Sequence, residues 1–419
     1  MSSDLEARQR KHVLFTWSAQ SQASSVPIAS GKGATFTDHD GERWLDFESQ
    51  TFNCNAGHGE ARIISAMADQ AASLACAAPS AVFEAKAALG ERLAAVTPGD
   101  LNRFFLCLSG AEAVENALKI ARMVTGRTKV IARRRSYHGA SMGALSLTGD
   151  ARRLAVEPGL WGVVRAEDPY CHRCPFGLEH PSCGVRCATH LEHIIQMEGP
   201  DRIAAVFMEG ITGANGGFVP PDDYWPTVRE ICDRYGILLV ADEVFSGFGR
   251  AGRWFAVDHW GVTPDMITMA KGLTSGYAPL GAVAMRDHIA DRFADEKLWC
   301  GLTSYAHPVS CAAAVASIDV YQQDQLIEAA ARLETPMLAA MNGLKQRFGS
   351  LISDVRGRGL FGPMELDRDT APITEALRKR RVHLLAKGPN IFVCPPLCIT
   401  QDELEEGIDL IGQALQEVF

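Results

Sequence analysis

Lys271 and Asp242 are the residues of this chain best placed to do chemistry. Lys271 closes the run Asp265-Met266-Ile267-Thr268-Met269-Ala270-Lys271-Gly272-Leu273, whose apolar stretch reads as a strand. A lysine at the mouth of a buried strand is costly unless it has a job. One such job is an imine with an aldehyde cofactor, because desolvation lowers the amine pKa and frees the nucleophile. Upstream, Ile237-Leu238-Leu239-Val240-Ala241-Asp242 is a second apolar strand, and it ends in an acid. Strand-end lysines and aspartates also occur as plain solvated loop residues, so neither decides alone. Together they suit pyridoxal phosphate, whose ring nitrogen needs an anionic partner and whose aldehyde needs an amine.

Four further segments carry candidate groups. Leu108-Ser109-Gly110-Ala111-Glu112 joins a strand to a helix. Ser109 is placed to cap that helix, and Gly110 lets the backbone and the first-turn N–H groups approach an anion. Ser136-Tyr137-His138-Gly139 offers Tyr137 as a ring to stack on a flat heteroaromatic cofactor. His138 reads as a local hydrogen-bonding residue. Glu209 ends another strand, where a second acid could order hydrogen bonds near the cofactor. Thr303, in Gly301-Leu302-Thr303-Ser304-Tyr305-Ala306-His307-Pro308, could donate a hydroxyl to phosphate.

These residues need a scaffold that gathers strand ends. Ala34 to Asp38 and Trp44 to Phe47 flank the turn Asp38-His39-Asp40-Gly41 and read as a β-hairpin. From about residue 60 to 320, short apolar strands alternate with helical patterns, which predicts an α/β domain with a mostly parallel, buried sheet. In such a domain ligands sit at the strand ends. The remainder reads as a smaller α+β domain. The expected division is an N-terminal segment 1–58 that contributes to the small domain, a large domain 59–318 and a C-terminal small domain 319–419.

The bulk properties fit. The chain has 419 residues, 47% hydrophobic and 22% charged, an ordinary globular composition. A net charge of -9 argues against nucleic acid or an anionic membrane surface as partner. No apolar run is long enough to span a bilayer. The first residues lack the apolar core of a signal peptide, so a cytoplasmic location is expected.

One cluster stands apart. Cys171-His172-Arg173-Cys174 is followed by Cys183-Gly184-Val185-Arg186-Cys187. A CxxC and a CxxxC have spacing compatible with a structural zinc that would staple a loop. An iron–sulfur cluster is conceivable, and reduced thiols in a loop over the site entrance are the plainer alternative.

The landmarks together resemble the class III aminotransferases, the ω-amino-acid transaminases of PLP fold type I. The resemblance rests on Ser109-Gly110-Ala111-Glu112-Ala113, Tyr137-His138-Gly139, Asp242-Glu243-Val244 through Gly247-Phe248-Gly249-Arg250, Ala270-Lys271-Gly272-Leu273, Thr303 with His307-Pro308, and Cys394-Pro395-Pro396-Leu397. It runs from about residue 30 to the C-terminus. It implies a large domain with a mostly parallel seven-stranded sheet. It implies that Lys271 binds the cofactor covalently and then moves the proton, while Asp242 keeps the pyridine nitrogen protonated. Tyr137 and Val244 would sandwich the ring, and Ser109, Gly110 and Ala111 would hold the phosphate. Glu209 would sit beside Asp242. Thr303 would reach the phosphate of a neighbouring subunit, which implies a homodimer or a dimer of dimers. Phe52 matches an aromatic substrate-pocket position, and Trp17 is expected to help line that pocket.

The departures from the family pattern bear on substrate. Phe245 stands where many members have a glutamine, and Ala214 where glutamate-using branches carry a second glutamate. Ile391-Phe392-Val393-Cys394 supplies no arginine before Pro395-Pro396-Leu397, and the nearest cation is Lys387. Either another cation binds the partner acid's carboxylate, or that acid is small, such as pyruvate. The resulting expectation is transfer of an amino group from an ω-amino compound to a 2-oxo acid. The donor would be a β- or γ-amino acid, a taurine-like aminosulfonate or a diamine. An aminomutase, a racemase or a decarboxylating transaminase on the same scaffold is the first alternative. A non-catalytic, zinc-stabilised interaction protein is the second.

Overall fold

A computed structural model describes residues 2–23 and 25–419. Seven strands form the central sheet: β4 (Arg103–Cys107), β5 (Lys129–Arg133), β6 (Val163–Ala166), β7 (Ile203–Glu209), β8 (Leu238–Asp242), β9 (Met266–Met269) and β10 (Gly281–Met285). Their order is β4-β10-β9-β8-β7-β5-β6. β10 pairs antiparallel with both neighbours, and β9, β8, β7, β5 and β6 run parallel. Every residue of β7, β9 and β10 is buried. Such continuous apolar strands are what a sheet covered on both faces requires.

The expected N-terminal hairpin is present. β2 (Thr35–Asp38) pairs antiparallel with β3 (Arg43–Asp46), and β1 (Ile28–Lys32) extends the sheet. β13 (Val382–His383) then joins β3 in parallel, so the N-terminal hairpin and the C-terminal region share one sheet. A third sheet, in the order β11-β12-β15-β14, consists of β11 (Ile352–Val355), β12 (Gly362–Leu366), β14 (Leu385–Lys387) and β15 (Asn390–Val393).

Arg250 pins these parts together. Its side chain is fully buried. Nη1 donates to the carbonyls of Leu360 (2.9 Å) and Pro395 (2.5 Å). Nη2 donates to Ser49 Oγ (3.1 Å) and Asn55 Oδ1 (2.9 Å). The segment it holds at Ser49 has an unusual backbone. Ser49, Gln50, Thr51 and Phe52 have φ of 50°, 48°, 65° and 62°. Four successive non-glycine residues in the left-handed region cost about 1–2 kcal/mol each, so the surroundings must impose this turn. No described helix is long and apolar enough to cross a membrane.

Candidate active site

The carboxyl ends of the parallel strands converge on a cavity of about 450 Å³, within the range of small-molecule sites. Strand register does the gathering. Glu209 pairs with Asp242 across β7 and β8, and Asp242 pairs with Thr268 across β8 and β9. The cavity is therefore floored by acids from neighbouring strands, and Lys271 enters two residues beyond the end of β9.

Lys271 begins a short 3-10 turn and has φ 45°, a strained conformation for a lysine. Its Nζ lies 5.6 Å from the centre of the Phe52 ring and 5.5 Å from that of Phe245. Burial among these groups pushes the ammonium below the usual lysine range, against the opposing fields of Asp242, Cys394 and Glu209. The amine is thus biased toward the neutral, nucleophilic form.

Asp242 is held from three sides. Oδ2 lies 2.7 Å from His138 Nδ1, while Oδ1 accepts the Val244 N–H (3.1 Å) and the Thr268 hydroxyl (3.0 Å). His138 is therefore the orienting partner of the acid, a role its sequence position does not reveal. Its Nε2 is buried and has no partner among the described residues. Glu209 is buried, and its Oε1 accepts the Gly213 N–H (3.2 Å). Burial raises its carboxyl above the usual range, opposed by Arg133 and His138. Glu243 does not line the cavity. It accepts from the N–H groups of Ala256 and Val257 and from Ser246 Oγ, and burial lifts its carboxyl to about 7.

Opposite the acids, the helix Gly110–Thr125 points its N-terminus into the cavity. Ser109 caps it by accepting the Glu112 N–H (3.2 Å). The first-turn N–H groups that the cap leaves over have no partner within the helix, an arrangement that suits an anion. A Cβ on Gly110 would lie 2.7 Å from Val244 Cγ1, so only glycine allows this approach. Tyr137 and Val244 line the same cavity, as do Phe52, Gly110, Ala111, Glu209, Asp242 and Lys271. An acid at the floor, a desolvated amine, a flat aromatic and an anion-binding helix end suit the ring nitrogen, aldehyde, ring face and phosphate of pyridoxal phosphate, and an orphaned nitrogen on His138 leaves room for a further partner.

Trp17 is half exposed at the rim, its ring 6.4 Å from Tyr137. It lines an outer vestibule of about 820 Å³ that continues the cavity outward. Thr303 is exposed and lies outside both spaces in this single chain.

Sequence reading missed Arg152. It lines both spaces, and its guanidinium carbon sits 3.8 Å from the centre of the Tyr137 ring. Asp150 holds it with contacts of 2.9 Å to Nε and 2.5 Å to Nη2. Lys387 Nζ lies 3.6 Å from the same carboxylate and 2.9 Å from Asn215 Oδ1. The Tyr137 landmark lies fifteen positions before Arg152, so only the tertiary fold shows that the two side chains stack.

The cysteine reading needs correction. Cys171, Cys174, Cys183 and Cys187 line one crevice of about 10 Å³ and all are unpaired. Zinc needs donors about 2.3 Å from a common point. No three Cys, His, Asp or Glu among the described residues converge on a position that could hold a metal. Cys171 starts a 3-10 turn and Cys187 lies in the first turn of the helix Arg186–Glu198, so the four thiols border one crevice without converging on a common point. Zinc is therefore unsupported, and the idea of a zinc-stabilised interaction protein loses its basis.

A seven-stranded α/β sheet with a lysine and an acid at adjacent strand ends has the architecture of PLP fold type I. Residues 16–415 match the aminotransferase class-III family, and the chain belongs to it. It is 32% identical to the taurine–pyruvate aminotransferase of Bilophila wadsworthia, with 100% of this chain and 98% of that protein covered. An (S)-enantioselective ω-transaminase from Thermomicrobium roseum superposes with a TM-score of 0.95 at 34% identity, covering 100% of this chain and 99% of that one. The taurine:2-oxoglutarate aminotransferase of Bifidobacterium kashiwanohense, solved with PLP and glutamate, gives 0.94 at 34% identity over 100% and 98%.

Proposed function

We propose that this aminotransferase takes its amino group from a short ω-amine bearing a remote carboxylate or sulfonate and delivers it to a 2-oxo acid. The observation that carries the reading is Arg152, a cation stacked on Tyr137 and reaching from the vestibule into the cavity. It supplies a site cation where residues 391–394 hold no arginine. Arg152 and Lys387 both face Asp150, and a substrate anion would take that carboxylate's place. The relatives named for taurine support an aminosulfonate as one such donor.

When bound, pyridoxal phosphate supplies an aldehyde that condenses with amines and a protonated ring that withdraws electrons from the substrate carbon. Ser109, Gly110 and Ala111 would hold its phosphate, Tyr137 and Val244 its two faces, and Asp242 its ring nitrogen. Glu209 would order the groups beside Asp242. Lys271 would bind the aldehyde in the resting enzyme, and its freed amine would then take the proton from the carbon bearing the donor's amino group. Phe52, Phe245 and Trp17 would exclude water from that amine. His138 fixes the orientation of Asp242. In this reading two copies of the chain share the site, with Thr303 reaching the neighbouring copy's phosphate. The segment 1–58 works with 319–419 as a small domain against 59–318.

The test is a half-reaction screen on purified holoenzyme, following loss of the cofactor's visible band without an acceptor. Taurine, β-alanine and 4-aminobutyrate should discharge it, while uncharged amines of equal length should do so more weakly. Arg152→Ala should raise KM for the anionic donors about 10–100-fold, the effect of losing a charge-assisted bond, and leave uncharged amines unaffected. Equal loss for both classes would refute the assignment of Arg152.

A further inference from the structure

The throat between cavity and vestibule is formed by Thr51 and Phe52 together with Arg152 and Ala214, since these four line both spaces. Thr51 and Phe52 belong to the left-handed turn, which contains no glycine to ease it. The Phe52 N–H donates to the Glu48 carbonyl (2.7 Å), closing the turn. Ser49 Oγ donates to the Cys394 carbonyl (2.6 Å) and anchors its start.

A further restraint, beside the Arg250 contact to Ser49, is Asp46. Its Oδ1 accepts the N–H groups of Glu48 (3.2 Å) and Gln50 (3.4 Å). Its Oδ2 accepts Gln50 Nε2 (3.1 Å) and lies 2.8 Å from His58 Nε2. This carboxylate is fully buried at the end of β3 and stays out of the cavity itself. A turn of opposite hand would point Thr51 and Phe52 elsewhere, because Cβ directions follow the hand of the backbone. Strain of this kind persists only where the surroundings over-determine it, and it clusters at sites that need fixed geometry.

We infer that the left-handed turn is the specificity-determining wall of the throat: Thr51 sets the length of donor that spans from Lys271 to Arg152, and Asp46 is the positioning residue that holds Thr51 there. The inference rests on the transaminase reading above. Its ligand class is a linear ω-amine with a terminal carboxylate.

The test measures half-reaction kcat and KM on holoenzyme for β-alanine, 4-aminobutyrate and 6-aminohexanoate. Thr51→Gly opens the throat and suits the left-handed backbone. It should raise the kcat/KM ratio of 6-aminohexanoate over β-alanine about tenfold, the scale of one or two methylene contacts, with no fall in melting temperature. Thr51→Leu should shift the ratio the other way. Asp46→Ala should raise KM for every donor about tenfold with kcat nearly unchanged, as expected for lost uniform binding, and Asp46→Asn should restore it. An unchanged donor ranking in both Thr51 variants overturns the inference even if wild type is active. So does a loss in Asp46→Ala confined to kcat. A wild-type holoenzyme discharged by taurine but by none of the three overturns this inference alone, whereas one discharged by none of the four overturns the donor reading above as well.

Discussion

Two regions of this molecule attract attention for the same reason, reactive side chains at suggestive spacing, yet the fold treats them differently. At the sheet's carboxyl edge, Glu209, Asp242 and Thr268 sit on three paired strands in register, and Lys271 follows two residues after the third. Around Cys171, Cys174, Cys183 and Cys187 the chain is made of loops, a 3-10 turn and a helix start, with no ladder between them. Glu209, Asp242 and Lys271 line a cavity of about 450 Å³, and the cysteines border a crevice of about 10 Å³. The fold brings both sets together, but only the first, held by paired strands, encloses a space of ligand size.

The comparison breaks hardest at Lys271. Lys271→Met should lower the half-reaction rate by about 10²–10⁴-fold, the range of a lost acid–base group, measured by single-turnover absorbance. The same variant reports on burial. The folded-state pKa of Lys271 is depressed, so between that value and the ordinary lysine value of about 10.5 the unfolded chain binds the extra proton. Apoenzyme stability from this residue is therefore full above the ordinary value and is lost as pH falls through that window. Apo Lys271→Met should melt above apo wild type at pH 7, and the gap should close as pH rises toward 10.5. A gap that widens with pH would contradict a buried amine.

A smaller effect sits one layer out. His138→Gln keeps a hydrogen-bond donor for Asp242 but loses the ring, and should cost about tenfold in kcat/KM with little change in melting temperature. Retention of full activity would mean that Val244 and Thr268 alone orient the acid. The smallest effect belongs to the thiols. Cys171→Ser with Cys174→Ser should change stability within about 0.5 kcal/mol, as substitutions away from special features do. Treatment with a chelator should leave the melting temperature unchanged. A fall of several degrees with chelator would sharpen the comparison in the opposite direction, by making the crevice a metal site after all.

Much of the frame was legible. Apolar runs marked β8 and β9, the helix cap at Ser109 and the acid Glu209 marked the ends of β4 and β7, and the hairpin of β2 and β3 followed from its turn residues, because local chemistry sets these elements. Lys271, Asp242, Tyr137 and the helix start at Ser109 were legible because strand ends and caps carry local signals. Arg152 was not, since its stacking on Tyr137 depends on how the chain folds back. The pairing of His138 with Asp242 spans 104 positions and leaves no local trace. The left-handed turn was illegible for the opposite reason: Ser49-Gln50-Thr51-Phe52 carries none of the glycine or asparagine that would announce positive φ, and distant groups impose it. Thr303 was legible as a motif, but in a single chain it lies outside both the cavity and the vestibule.

Arg250 carries a consequence of its own. Its four hydrogen-bond partners are two carbonyls, a hydroxyl and an amide, so no carboxylate among them neutralises its charge. That charge lies within the field of Lys271 and pushes the amine further toward its free base. The fastener of the N-terminal and C-terminal segments is thus also part of the electrostatic setting of the nucleophile. Loosening either segment would retune the proton affinity of the reacting nitrogen, which makes assembly of the chain and readiness for chemistry one event.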